Sequence, residues 1–240
     1  MARLKSFGSA LTGLALTGLC LTAQAQERML NTVTVTAQRI DVDDLAAMPN
    51  VFIRVPADFI QFSLTCQSAT RDAAERKTEL ETQFNTLVKW AADEAGYELF
   101  GGEAGEETIP LDTISFHEIL KSVYGNRQTF ELVLTADVLK DETFDGVKLR
   151  VTKKVEAMKT AGRVECYVGD DQYLGVRNID VHRKTLLKQI AAEMKDMREI
   201  FGKSAVEVTG LEARVISQPS GSLIVDVFLP YKLTLTSEKE

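Results

Sequence analysis

Residues 58–96 read DFIQFSLTCQSATRDAAERKTELETQFNTLVKWAADEAG, and the hydrophobic period changes partway along. Up to Gln67 the period is two. Ile60, Phe62, Leu64 and Cys66 face one way and Gln61, Ser63 and Thr65 the other, as in a half-buried strand. From Ala73 it becomes helical. Ala73, Leu80, Phe84, Leu87, Val88, Ala91 and Ala95 form one apolar stripe, Thr70 is the expected N-cap and Gly96 the stop. Trp90 flanks the stripe, a core-rim position. A strand running into an amphipathic helix buries the helix against a sheet.

The same two periods recur on both sides. Downstream, the Gly-rich acidic stretch Gly101–Glu107 reads as a hairpin tip or loop. Its acids exclude a phosphate-cradling role. Strands are expected at 113–120 and 128–138, the second with Phe130, Leu132, Leu134 and Ala136 inward. A second helix is expected over 143–160, with Val147, Val151, Val155 and Met158 in register and Gly162 after it. Strand 163–168 places Val164, Cys166 and Val168 on one face. Asp180 is the expected cap of a third helix carrying Leu186, Leu187, Ile190, Met194, Met197 and Phe201, closed by Gly202. Two closing strands, 206–216 and 223–236, flank the turn signal Pro219-Ser220-Gly221. Upstream, Asn31–Arg39 alternates like a strand, and Asp41–Asn50 reads as a polar loop with acids at Asp41, Asp43 and Asp44. This order predicts an α+β fold, mostly antiparallel, with about three helices packed on one face. Strand–helix units at 58–95 and 128–160 divide it into two lobes, 30–125 and 126–240.

The first 25 residues carry Arg3 and Lys5, an apolar run Leu11–Leu21 and the small pair Ala23 and Ala25. That is the layout of a signal peptide cleaved after Ala25, leaving 26–240 as the exported domain. Lipid attachment at Cys20 would want a small residue before it, where Leu19 stands. Cleavage moves the formal net charge from -7 to -9. An acidic chain is a poor partner for nucleic acid, and no later run is apolar enough for a transmembrane helix. Periplasmic residence follows, with room for peripheral envelope association.

Catalytic patterns are missing. His117-Glu118 is not followed by a second histidine at metalloprotease spacing, and His182 is expected on a solvated first helical turn. No Gly-x-Ser-x-Gly elbow and no Cys-x-x-Cys occur. The reading is no catalytic, cofactor or metal residues and no cofactor. Cys66 and Cys166 sit on apolar strand faces in an oxidising compartment; a disulfide between them and two independent buried thiols fit equally well.

Several landmarks recur in a fixed order. Thr32-Val33-Thr34-Val35-Thr36 follows the export signal, and Pro56-Ala57-Asp58 opens a strand leading to Thr70 and a helix ending at Gly96. Later come a helix ended by Gly162, a strand, Asn178-Ile179, a long helix into Phe201-Gly202 and a last alternating strand. Over roughly residues 30–238 the chain resembles the SIMPL-domain family of bacterial periplasmic and envelope proteins. The resemblance implies an α+β fold, an envelope location, oligomers that are sometimes ring-like, and links to oxidative-stress tolerance. It carries over no catalytic residues. The acidic Glu103–Glu107 loop departs from the Tyr-rich segment of many members, and the third helix has fewer alanines.

The functional expectation is a non-catalytic exported envelope protein that forms homo-oligomers and supports envelope integrity or oxidative-stress tolerance. Self-association is expected through strand edges at Asn31–Arg39 and Leu223–Thr236. The alternatives are a periplasmic redox protein or a small-ligand-binding module. N-terminal sequencing of protein from the envelope fraction should return Gln26 as the first residue; a start at Met1 or a lipidated Cys20 would contradict the cleavage site.

Overall fold

Strand β2 (Phe59–Ser68) lies between β6 (Arg127–Asp137) and β7 (Val164–Gly175), antiparallel to both. The computed structural model in which this is seen describes residues 49–106, 108–202 and 205–236. The signal segment 1–25, the strand expected over Asn31–Arg39 and the acids Asp41, Asp43 and Asp44 lie outside the described residues. β3 (Tyr97–Gly101) pairs with β6, β4 (Ile109–Pro110) with β3, and β5 (Lys121–Val123) with β6, completing the central sheet. The protein has an α+β fold with antiparallel sheets.

Alternation decides which face of this sheet is covered. Ile60, Phe62, Leu64 and Cys66 are fully buried, as are Phe130, Leu132, Leu134 and Ala136 on β6. Helix α1 (Ala73–Asp93) brings Leu80 and Leu87 onto that surface, and α3 (Phe144–Glu156) brings Val147, Val151 and Val155. Trp90 of α1 packs on Tyr97, ring centroids 5.0 Å apart.

A smaller layer joins the two ends of the described chain. β1 (Ile53–Pro56) pairs with β10 (Ile224–Phe228), which pairs with β9 (Ile216–Gly221). β8 (Ala205–Thr209) pairs with β11 (Lys232–Thr236). Helix α4 (Arg183–Phe201) packs by β8 and buries Leu186 and Ile190. The expected lobes therefore interleave: β2, from the first half, is the middle strand between two from the second. β10 is likewise a middle strand with Val227 fully buried, so this part of 223–236 is not a free edge.

Several local expectations are corrected. Asp72, not Thr70, caps α1, accepting from the Glu75 amide at 2.8 Å; the Thr70 hydroxyl is engaged by Glu79. Residues 113–120 are not a strand. They form the end of a 3-10 turn and the short helix α2 (Phe116–Ile119), opened by Glu118 accepting from the Ser115 amide at 2.6 Å. Phe116 then fills the space between Phe84 and Phe130, at 5.6 and 5.9 Å. Asp180 does not cap α4 but sits in a 3-10 turn, Ile179–His182, that runs into it.

The closing strands each break in two. Gly210 has φ +87°, and a Cβ there would lie 2.5 Å from the Pro230 carbonyl oxygen. The freed carbonyls of Leu211 and Ala213 accept from the Arg183 guanidinium. Across the break, the Tyr231 hydroxyl donates to Glu193 of α4; burial, then the adjacent carboxylate, raises its pKa well above the ordinary phenol. Pro219 and Ser220 stay in β9, and the turn falls at Ser222-Leu223, with Leu223 at φ +57°.

Arg150 clamps α3 to the sheet. It donates to Glu142 at 2.8 and 3.0 Å, to the Tyr97 hydroxyl at 2.7 Å and to the Asp137 carbonyl at 2.6 Å. The Arg150 hydrogen bond holds the Glu142 carboxyl below its ordinary range, against partial burial. Arg150→Ala strips partners from three largely buried groups and should cost about 3 kcal/mol, read as a lower urea midpoint. Because the folded pKa of Glu142 is depressed, its contribution is full above the unfolded value of about 4.3 and disappears as pH falls through the lower folded value. Glu142→Gln should therefore flatten the acid limb of stability against pH; an unchanged limb would exclude the clamp.

Candidate functional site

The cysteines meet at the end of the central sheet. Cys66 and Cys166 are directly opposed across β2 and β7 and joined by a disulfide, with Cα atoms 4.1 Å apart. That spacing belongs to a non-hydrogen-bonded pair, in which facing side chains lie closest and both backbones turn their N–H and C=O outward. Cys66 is fully buried on the helix-covered face and Cys166 half-buried.

Beyond the bridge, β2 ends at Ser68 and the chain turns into α1. Glu79, two turns into that helix, reaches back over the strand end. Its Oε2 accepts from the hydroxyls of Ser68 and Thr70, both at 2.8 Å, and its Oε1 from the Arg163 amide at 3.2 Å. Burial pushes its pKa up, but the hydroxyls of Thr70 and Ser68 and the Arg163 amide outweigh this and hold it below the ordinary range. Gly162, at φ +54°, makes the reach possible, since a Cβ there would fall 2.0 Å from Glu79 Oε1. Alongside lies a cleft of about 490 Å3 lined by Gln67, Ala69, Arg127, Arg163 and Glu165 among others. Gln67 Nε2 donates to Glu165 at 3.4 Å on its rim.

The remaining chemically interesting residues are dispersed. His117 lies on α2 and His182 at the start of α4. Among the described residues, no group of three or more His, Cys, Asp or Glu side chains is placed to hold a metal ion. The acidic loop is the β3–β4 hairpin tip and folds over the face of the sheet opposite the helices. Its Gly105 amide donates to Gln61 at 3.2 Å and lies against the Tyr173 ring. Burial, then Asp171, Glu106 and Glu103, raises the Tyr173 pKa. No helix among the described residues is long and apolar enough to cross a membrane.

Sequence reading found the two cysteines, and Gly162 only as a helix stop, but not Glu79 or the arginines around them. The signal for Glu79 was weak: one acid among 35, placed by the exact residue at which β2 stops. No protein-family model matches the chain, and no curated protein or solved structure matches it.

The bridge joins residues 100 apart in sequence, so a loop-closure estimate puts its contribution on the order of 4–5 kcal/mol. The double variant Cys66→Ala/Cys166→Ala should unfold at a clearly lower urea concentration with its secondary structure retained. An unchanged midpoint would show that the paired strands alone hold this end of the sheet.

Proposed function

We propose that this chain is an exported, non-catalytic protein of the bacterial envelope, a SIMPL-type domain that self-associates and supports envelope integrity or oxidative-stress tolerance. The observation that carries the reading is the cross-strand disulfide. Such bonds persist in oxidising compartments, and the sequence offers a matching export signal. Full burial of Cys66 favours a structural bridge over a working thiol pair, since exchange requires an accessible sulfur and an attacking thiolate.

Self-association is supported by the outer side of β7. Among the described residues no strand pairs there. Outward backbone groups at Cys166 and Val168 follow from the non-hydrogen-bonded pairing of Cys66 with Cys166. Tyr167 is half exposed beside them. The edge is limited, because β7 loses register with β2 opposite Ser63, and Asp170 and Asp171 occupy the irregularity. Bulges and charges of this kind restrict edge pairing to a short, specific segment.

The test combines localisation, thiol counting and sedimentation of the mature chain. Envelope-fraction protein should show no free thiol from Cys66 or Cys166 when denatured without reductant, and should sediment as an oligomer at micromolar concentration. Val168→Pro removes an outward N–H that β2 does not use, so it should shift the protein to monomer with circular dichroism largely kept. Cytoplasmic residence with two reactive thiols, or a wild-type monomer, would overturn the reading.

A further inference from the structure

The cleft at the end of β2 follows from strand register. Ser68, the last paired residue of β2, faces Gln128 on β6 and Val164 on β7. One position further the central strand has left the sheet; Arg127 is the first residue of β6, and Arg163 sits in the turn immediately before β7. Both arginines line the same cleft, together with Ala69.

Neither arginine has an ion-pair partner among the described residues. With 35 acids against 28 bases, cations here have acids to choose from, and Arg54, Arg150 and Arg177 are each paired. The Arg163 charge helps lower the Glu79 pKa, but both Glu79 oxygens already accept hydrogen bonds from Ser68, Thr70 and the Arg163 amide. The opposing charge on the rim is Glu165, which accepts from Gln67.

We propose that this cleft binds a phosphate-class oxyanion, gripped between the guanidinium groups of Arg127 and Arg163. Two planar forks lining one cleft offer several N–H donors to a bound anion. A tetrahedral anion with three or four free oxygens uses them, whereas one fork already satisfies a carboxylate. Glu165 weakens the site, which fits reversible rather than permanent occupancy. The anion can come from a soluble phosphate or from a phosphomonoester lipid headgroup; the chemistry of the grip is the same. This inference stands apart from the oligomer and from the compartment.

The experiment is calorimetric titration of the full mature chain with inorganic phosphate at constant ionic strength, balanced with chloride. Wild type should bind saturably. Arg127→Gln/Arg163→Gln should weaken binding about tenfold or more. Arg127→Lys/Arg163→Lys, which keeps charge and loses the forks, should fall between the two. Glu165→Gln should bind more tightly than wild type, which general loss of structure would not produce; circular dichroism verifies each fold. Co-sedimentation with phosphatidylcholine vesicles containing phosphatidic acid then separates the sources. Recruitment lost in the Gln double variant assigns the lipid headgroup, and phosphate binding without recruitment assigns the soluble anion. Absent wild-type binding, or equal binding by wild type and the Gln double variant, overturns the proposal.

Discussion

β2 is hydrogen-bonded on both sides along nearly its whole length, and the rest of the molecule is arranged around that fact. A strand with two neighbours has no free backbone polar groups, so its side chains alone determine what covers it. One face, Ile60 to Cys66, requires a hydrophobic cover and receives α1 and α3. The other carries Gln61, which is also buried and finds its partner in the Gly105 amide of the hairpin tip. The acidic loop is thus held down by the same strand that organises the core.

The disulfide and the Glu79 contacts act at one end of this strand and in different ways. The first links β2 to β7 covalently, beside a ladder that already pairs them. The second is polar and fastens α1, the turn before it and the first residue after Gly162 through one carboxylate. The Glu79 contacts depend on where β2 stops, as does the cleft lined by Arg127 and Arg163, whereas the disulfide depends on the β2–β7 register. Two features that look separate in the sequence, the Glu79 contacts and the cleft, share one cause, the exit of a central strand from its sheet.

How far this was legible varied with the distance over which each feature is determined. The long elements declared themselves because each buries one face, so Ile60–Phe62–Leu64 and Val147–Val151–Val155 show their period directly. The segment 113–120 misled because Phe116 is buried by Phe84 and Phe130 and not by strand alternation, although Ser115 and Glu118 carried a capping signature. Thr70 and Asp72 are both good caps; Glu79, about two turns past the second, engages the Thr70 hydroxyl and decided between them. Leu223 at positive φ gives no compositional hint, whereas Pro219-Ser220-Gly221 gives a strong one in the wrong place. The cysteines were visible, but their opposition required the β2–β7 register, which is set by residues a hundred positions apart.

The interleaved order of the central sheet also determines when the protein can fold. β2 is made early, yet its first neighbour ends at Asp137 and its second begins only at Val164. β1 waits longer still for β10, at Ile224–Phe228. Such contacts have high sequence separation, and each closes a long loop before any stabilising contact forms. A nascent chain that has reached residue 150 therefore presents a ten-residue strand, apolar on one face, with one edge unpaired. The central sheet and the smaller layer can therefore be completed only after β7 and β10 have been made.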